Sequence, residues 1–401
     1  MVLERGTVLK QWVLGEKLGS GACSDVYEGR DAHVECIACF HVVSNGDGNV
    51  YAMKVSPIPP PTKKKRKKSH ADRSADALYA EHLLYVNHLS GHAGIPVLPA
   101  SGAYGEDKGY RFLVLEKLGR TLEDVKKSYG TLPEATIARI GLDLLDIFKF
   151  LHSKRIIFVD VKPENFMLNA EETQIYCVDF GIAERYIQVT GAHKAFKMAG
   201  IIGTPTFLSL NCHKGSTPSR RDDIEALLYV LLYLIKGNLP WQGAASDADG
   251  AKLKRDTSLT DLCQSLSSSW VSMLTSIRAC GFEDPPDYQV IENGLESICG
   301  SKPRSKAYDW GSKSQAKKTI SSSKDSLTKN DKKQKKQTEE EKAPKTSKRK
   351  PKASVIEIES DEEKPPVKST RRLEAATRAV GAAAAANAAA SIASRTRSAK
   401  Q

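Results

Sequence analysis

Two parts of the first hundred residues have the residue types that contact phosphate groups. The segment Gly19-Ser20-Gly21-Ala22-Cys23-Ser24 is a glycine-rich turn whose backbone N–H groups could approach phosphate oxygens. Lys54 closes a strand-like segment and Glu81 lies in the next helix-like segment, so a carboxylate could hold a lysine against phosphates. Taken alone, the turn is more simply a tight hairpin, and any lysine or glutamate can be a surface residue.

Three polar motifs follow in a fixed order in the second hundred residues. The run FVDVKPEN (158–165) contains Asp160, Lys162 and Asn165, and Asp179-Phe180-Gly181 begins fourteen residues after Asn165. Gly203-Thr204-Pro205 comes next. Each motif is short, but this order of acids, amide and glycines is highly specific, and it strengthens the phosphate interpretation of the earlier residues.

The segments around these motifs predict a small sheet followed by a helical region. Three strand-like segments lie within residues 12–55, and a fourth, FLVLEKL, occupies 112–118. Apolar residues at helical spacing over 78–89 and 137–151 predict helices. The apolar run over 224–235, ended by Gly237, predicts a helix that is buried on all sides. We therefore expect an α+β chain.

At this point the sequence resembles a eukaryotic protein kinase over about residues 12–299, because all the motifs occur in that family's order. The resemblance implies a bilobal fold: an antiparallel β-sheet N-lobe over 1–118, a helical C-lobe over 119–299 and a tail over 300–401. The run SRRDDIEALLYVLLYLIKGNLPWQG (219–243) is similar to the casein kinase I superfamily. Residues 101–119 and the basic tail look more like its vaccinia-related kinase branch, which we favour, although VKPEN is closer to casein kinase I proper.

The resemblance assigns roles to the polar residues. Asp160 would accept or orient the proton of the substrate hydroxyl, and Asn165 and Asp179 would hold the Mg²⁺ that bridges the ATP phosphates. Lys162 would lie near the transferred phosphoryl group, and Thr204 would brace Asp160 and Lys162. Both residues indicate Ser or Thr, rather than Tyr, as the acceptor.

The nucleotide itself would bind between the glycine-rich turn, the strand that ends at Lys54 and the link between the lobes. Leu115 resembles the gatekeeper, and the backbone from Glu116 to Leu118 would meet adenine. Val26, Ala52 and Met167 would sandwich the ring, although core packing explains these apolar residues equally well. The residues expected to bind ATP are Gly19, Ser20, Gly21, Ser24, Val26, Ala52, Lys54, Glu81, Leu115, Glu116, Leu118, Met167 and Asp179.

Three positions depart from the family pattern. Ser24 replaces the third glycine of the phosphate loop, and Val159 replaces the arginine before the catalytic aspartate. Thr206 stands where casein kinase I proper has an arginine that reads acidic substrates, which puts acid-directed specificity in doubt. The first two departures and the basic tail support an alternative: a pseudokinase scaffold that binds nuclear partners or nucleic acid without turnover.

The charge of the chain is concentrated in its last part. The 401 residues contain 60 Lys and Arg against 48 Asp and Glu, but residues 301–401 have a net charge of +14 and residues 1–300 a net charge of −2. Leu, Ile, Val and Phe together number 9 in that final stretch, too few to form a core. The tail is therefore expected to be disordered. No run suits a membrane span or a secretory signal, so we expect an intracellular protein. We also expect a monomer.

Basic clusters predict the location of the protein and some of its partners. Lys63 to Lys68 predict a nuclear localisation signal, with Lys348 to Lys352 as a second candidate. Non-specific nucleic-acid contact by Lys63–Lys68 and the tail is a second interpretation, and a merely solvated loop at Lys63–Lys68 is a third. Val355 to Ile358, followed by acidic residues, resemble a SUMO-interacting motif, and an accidental acidic patch explains them as well. The main partners expected are protein substrates with Ser or Thr acceptors.

Overall fold

The computed structural model describes residues 3–20, 24–31, 50–58, 70–198, 200–300 and 307–311. The chain divides into two units, Met1–Lys335 and Lys336–Gln401, and every described residue belongs to the first. The expectations for Gly21, Lys63–Lys68, Lys348–Lys352 and Val355–Ile358 lie outside the described residues. Strands and helices are numbered below in chain order over the described residues.

The N-lobe is built on a six-stranded antiparallel sheet with the strand order β1-β2-β3-β4-β6-β5. The register pairs Lys54 with Val26 on one side and with Leu113 on the other. Because side chains alternate along a strand, one face of the sheet carries Lys54 and the opposite face carries Met53. The strands are β1 (Val8–Leu9), β2 (Trp12–Ser20), β3 (Asp25–Asp31), β4 (Tyr51–Pro57), β5 (Tyr104–Asp107) and β6 (Tyr110–Glu116).

The face of the sheet that carries Met53 buries its own apolar cluster. Trp12, Tyr27, Met53 and Phe112 are all at most 2% exposed in this cluster. Helix α1 (His70–Leu84), which continues as a π-helical turn over Tyr85–Leu89, contacts β4 and β6. The N-lobe sheet therefore has one face free to present polar residues toward the helix and the C-lobe.

The C-lobe is centred on two long helices, α3 (Glu134–Ser153) and α5 (Arg220–Lys236). Helix α5 is buried from Asp222 to Ile235, as the apolar run predicts. It begins with a capping box between Ser219 and Asp222 and ends at Gly237, whose φ of 83° lies in the left-handed region that favours glycine. This central helix supplies the rigid floor of the site described below.

The other described elements surround these two helices. The small strands are β7 (Ile156–Ile157), β8 (Phe166–Leu168), β9 (Ile175–Cys177) and β10 (Glu184–Arg185), paired as β7 with β10 and β8 with β9. The remaining helices are α2 (Leu122–Tyr129), α4 (Leu210–His213), α6 (Asp247–Asp256), α7 (Leu259–Leu262), α8 (Ser269–Ala279) and α9 (Tyr288–Cys299). The antiparallel sheet followed by a helical lobe confirms the predicted α+β fold class. Among the described residues, no helix is both long and apolar enough to cross a membrane.

The C-lobe extends beyond residue 299, where the sequence interpretation begins the tail. Residues 307–311 pack against it, with Tyr308 only 5% and Trp310 only 7% exposed. The Tyr308 hydroxyl donates to Asp143 (2.9 Å), and the Trp310 indole donates to Glu172 (2.6 Å). The sequence analysis places residues 300–401 in a disordered tail, whereas the structure packs 307–311 on the lobe, because two aromatic side chains find buried partners there.

Candidate active site

Lys54 is buried between two carboxylates. Its ammonium donates to both oxygens of Glu81, at 2.7 and 2.9 Å, and to Asp179 Oδ1 at 2.8 Å. The side chain of Lys54 is 12% exposed and that of Glu81 only 2%. Lys54 comes from β4, Glu81 from α1 and Asp179 from the segment after β9, so three separate parts of the chain meet at one ammonium.

The electrostatics of this contact favour the charged forms of Lys54 and Asp179, whereas burial raises the pKa of Glu81. Burial alone would lower the pKa of Lys54, but Glu81 and Asp179 outweigh it and raise that pKa above its ordinary value. Lys54 in turn lowers the pKa of the Asp179 carboxyl. The ammonium and the Asp179 carboxylate therefore stay ionised at neutral pH. Two carboxylates against one ammonium leave an excess negative charge that suits a bound cation.

Phe180 fixes the direction in which Asp179 points. The Phe180 N–H donates to Glu81 Oε1 (3.0 Å), and its ring is 1% exposed between the rings of Tyr85 (5.6 Å between centroids) and Phe158 (5.2 Å). Both contacts are edge-to-face, a favoured aromatic geometry. With the Phe180 ring held inside the core, the preceding Asp179, at a φ of 65°, turns its carboxylate back toward Lys54.

Asp160 is the centre of a second polar cluster. Thr204 Oγ1 donates to Asp160 Oδ1 (2.8 Å) and Lys162 Nζ donates to Asp160 Oδ2 (2.5 Å). The Asn165 amide donates to the Asp160 carbonyl (2.9 Å). The structure thus brings together all four residues that the sequence analysis assigns to phosphoryl transfer. The Asp160 carboxylate is partly exposed and can accept a proton from a bound hydroxyl group.

Gly203 allows the Thr204 segment to approach Asp160 closely. Its φ of 102° is disfavoured for any residue with a side chain. A Cβ at this position would also lie 3.0 Å from Leu208 Cδ2 and 3.3 Å from the Val159 carbonyl oxygen. The backbone conformation therefore favours glycine here, and a side chain would also be crowded by these neighbours.

Asp223 holds the backbone before Asp160, and the sequence analysis gives it no role. Its carboxylate accepts from the N–H groups of Phe158 (2.7 Å) and Val159 (2.9 Å) and contacts His152 Nε2 (3.0 Å). Asp223 is 2% exposed. Val159 has a φ of 73°, which is rare for a β-branched residue and needs such external support. The signal available in the sequence was an acidic pair directly before the apolar run of α5.

The residues expected to sandwich adenine share one face of the N-lobe sheet. Val26 lies opposite Lys54, and Ala52 lies opposite Leu115, so all four side chains are on the same side. Val26 and Ala52 are half-buried, which leaves apolar surface for a ring, whereas Leu115 is 5% exposed and belongs mainly to the core. The sheet therefore presents an apolar wall next to the lysine.

The other predicted nucleotide contacts border this wall. Glu116 ends β6, and its N–H and carboxylate bond to Val97, which leaves the following backbone up to half-buried Leu118 as the link to the C-lobe. Met167 is half-buried on β8. Gly19 and Ser20 end β2, and half-buried Ser24 comes directly before β3, so the glycine-rich turn joins two paired strands.

Asn165 and Asp179 suit a magnesium ion that is shared with phosphates. The N–H of Val178 donates to the Asn165 carbonyl (2.9 Å), which places the residue before Asp179 against Asn165. Among the described residues, no group of three or more His, Cys, Asp or Glu side chains could hold a metal by itself. One carboxylate and one amide oxygen fit Mg²⁺, which takes few protein ligands and completes its shell with phosphate and water.

A comparison with known protein families matches residues 12–322 to the protein kinase domain. The chain belongs to the protein kinase family. It is also 31% identical over 232 residues to casein kinase I homolog 3 of Schizosaccharomyces pombe, which covers 54% of this chain and 53% of that protein. The chain thus spans about half the length of this relative. The resemblance to the casein kinase I superfamily is confirmed, and the vaccinia-related branch stays a prediction.

Removing the Asp223 carboxylate should destabilise the kinase domain more than replacing it by an amide. In Asp223→Ala, two buried N–H groups lose their acceptor, so we expect the free energy of unfolding to fall by about 3 kcal/mol. Asp223→Asn keeps one acceptor oxygen and should lose about half as much. Denaturant unfolding followed by tryptophan fluorescence measures both. Wild-type stability in the alanine variant would contradict the proposed support of Val159.

Proposed function

We propose that this chain is a serine/threonine protein kinase that transfers the γ-phosphoryl group of MgATP to a hydroxyl of a protein substrate. The observation that carries the proposal is that Lys54, Glu81 and Asp179 are joined in one contact while Asp160 carries its own cluster. Lys54 is the main cause of the lowered pKa of Asp179, and Lys162 of the second cluster lowers that pKa further. The two clusters therefore act on the same reaction space.

The residues divide the work of phosphoryl transfer between them. Lys54, held by Glu81, would bind the α- and β-phosphates, and Asp179 and Asn165 would hold Mg²⁺, which neutralises charge on the phosphates when it is bound. Asp160 would orient the acceptor hydroxyl and take its proton, and Lys162 would stabilise the moving phosphoryl group. Little covalent chemistry is asked of the protein, so the site works chiefly by positioning and electrostatics.

The contacts of Lys162 and Thr204 support serine or threonine as the acceptor. Both side chains donate to Asp160, at 2.5 and 2.8 Å, and so crowd the carboxylate that the substrate hydroxyl must reach. A short aliphatic hydroxyl brings its backbone close to this cluster, whereas a tyrosine would hold its backbone a ring's length away. The similarity to casein kinase I homolog 3 also supports this choice of acceptor.

The alternative is a pseudokinase scaffold, supported by Ser24, Val159 and the basic tail. A binding module would need the fold, but it would have no chemical need for Lys54, Asp160 and Asp179 to be arranged together with all their partners. Val159 also belongs to a small buried cluster with Ile157 and Tyr186, so it fills apolar space next to Asp160 without disturbing it. We therefore favour the enzyme.

Phosphate transfer from radiolabelled MgATP to histones, casein and a total nuclear extract tests the proposal. Lys54→Met removes the phosphate anchor and Asp160→Asn removes the base, so each should lower transfer by about 10²-fold or more. Lys252→Met, which removes an exposed lysine, is the matched control and should keep wild-type transfer. Transfer at background in folded wild type would favour the scaffold, and unchanged transfer in both site variants would refute the assignment.

The substrates that we propose are nuclear, chromatin-associated proteins, in keeping with the vaccinia-related branch. Support comes from the basic run Lys63–Lys68, with Lys348–Lys352 as a second signal. The positive charge of the tail suits contact with nucleic acid, and Val355–Ile358 suit contact with SUMO.

Deleting residues 63–68 from a fluorescent fusion should move the protein to the cytoplasm, since this removes six adjacent cations of the proposed signal. Microscopy of living cells measures the nuclear fraction, and replacing the same residues by arginine should preserve it. A deletion variant that stays fully nuclear would contradict this assignment and indicate Lys348–Lys352 as the signal. Loss of the nuclear fraction only when both clusters are removed would show that either cluster is sufficient.

A further inference from the structure

Lys254 is a fully buried lysine that does not belong to either cluster of the site. It lies on α6, is 0% exposed, and donates to the backbone carbonyls of Pro205 (3.0 Å), Thr206 (3.1 Å) and Leu208 (2.7 Å). An ammonium has three N–H donors, so these three acceptors satisfy it completely. One side chain thus binds three peptide groups of the segment that follows Thr204.

Two aromatic rings enclose the same ammonium. Lys254 Nζ lies 5.2 Å from the centroid of the Tyr229 ring and 5.0 Å from that of Trp241. The Trp241 indole N–H also donates to the Thr206 carbonyl (2.7 Å), so this oxygen has two donors. Both rings come from the region of α5 and its exit, which anchors the lysine and the loop to the rigid centre of the C-lobe.

A charge in this position is costly. Burial lowers the pKa of Lys254 to about 7, with Glu225 and Cys212 acting against the shift and Arg278 adding to it. Tyr229 is a further titratable group beside this ammonium, and Lys254 adds to the lowering of the His213 pKa that burial causes. An apolar side chain such as methionine would fill the space without that cost, so the charge is best explained by the carbonyls that it holds.

The segment that Lys254 holds begins at the Asp160 cluster. Thr204 donates to Asp160 through its hydroxyl, and its own carbonyl accepts from the N–H groups of Phe207 (2.9 Å) and Leu208 (3.2 Å). The turn over residues 204–208 is therefore fastened to Asp160 at one end and to Lys254 along the rest. A shift of the turn at Lys254 would be passed to Thr204 within four residues.

We propose that Lys254 is a positioning residue for the substrate: it fixes the turn over residues 204–208 so that Thr204 stays on Asp160 and the acceptor hydroxyl is bound in line. The proposal rests on the kinase function proposed above. Lys254 touches neither the nucleotide-binding face of the sheet nor the Lys54 contact. Its effect should accordingly fall on the protein substrate and spare ATP.

Steady-state kinetics of Lys254→Met against the exposed control Lys252→Met tests the proposal. Loss of three anchors should raise KM for the protein substrate, or lower its kcat/KM, by about 10-fold or more and leave KM for ATP within about twofold. The control should match wild type in both. An equal loss for both substrates, or no loss, would overturn the proposal.

Hydrogen exchange measured by mass spectrometry gives a readout that does not need turnover. Amides of residues 203–209 should exchange faster in Lys254→Met than in wild type, while those of α3 and the N-lobe sheet keep their rates. Faster exchange in an inactive protein would uphold the positioning role and refute the kinase function. Unchanged exchange in an active enzyme would do the reverse. If Lys254→Met fails to fold, Trp241→Phe, which removes the second donor to Thr206, should show the same pattern more weakly.

The pH profile separates positioning from a merely structural role. As pH rises from about 6 to about 8, Lys254 loses its proton, and two N–H groups remain for three carbonyls. KM for the protein substrate should therefore rise in wild type and stay flat in Lys254→Met. Because the pKa is lower in the folded than in the unfolded chain, wild-type stability relative to the variant should increase over the same range. A KM for the protein substrate with the same pH dependence in wild type and in Lys254→Met would indicate structural support alone and overturn the proposal.

Discussion

The buried contact of Lys54 with Glu81 and Asp179 is the interaction on which the rest of the site depends. It joins a strand, a helix and the segment after β9 through hydrogen bonds of 2.7 to 2.9 Å. Glu81 also accepts from the Phe180 N–H, and the Phe180 ring packs on Phe158, whose own N–H is held by Asp223. One ion contact is thereby continuous with the central helix of the C-lobe, and losing Lys54 would leave the buried Glu81 carboxylate without its counter-charge.

Most of the fold follows from local patterns in the sequence, but several supporting contacts do not. Alternation, turn residues and the apolar run of α5 predict strands and helices correctly because each depends on neighbours in the chain. Asp223 was missed because its two backbone partners lie 64 and 65 residues away. Lys254 stands among charged neighbours, as in an exposed helix, and is buried by a distant loop. The segment 307–311 is too short to show any periodicity, and only its partners on the C-lobe order it.

Two of the departures from the family pattern, Val159 and Thr206, concern regulation and specificity more than chemistry. Val159 stands beside Asp160 where the family pattern has an arginine, and its side chain is 7% exposed in an apolar cluster. An apolar side chain thus occupies the position of the arginine, so a phosphorylated activation loop has no arginine to bind there. Thr206 offers its carbonyl to Lys254 and Trp241, so its backbone serves the turn while its side chain is neutral. These features agree with a kinase that does not select acidic substrates through this position.

Thermal unfolding with ATP, in the presence and absence of Mg²⁺, tests most directly whether the Lys54 contact is a phosphate and metal site. At about 100 times Kd, ATP with Mg²⁺ should stabilise the wild type by about 2.7 kcal/mol, and ATP with a chelator should stabilise it much less. Asp179→Asn should lose the magnesium-dependent part, and Glu164→Gln, at an exposed carboxylate in the same region, should keep it. Equal stabilisation by ATP with and without magnesium, or full stabilisation of Asp179→Asn, would contradict the assignment.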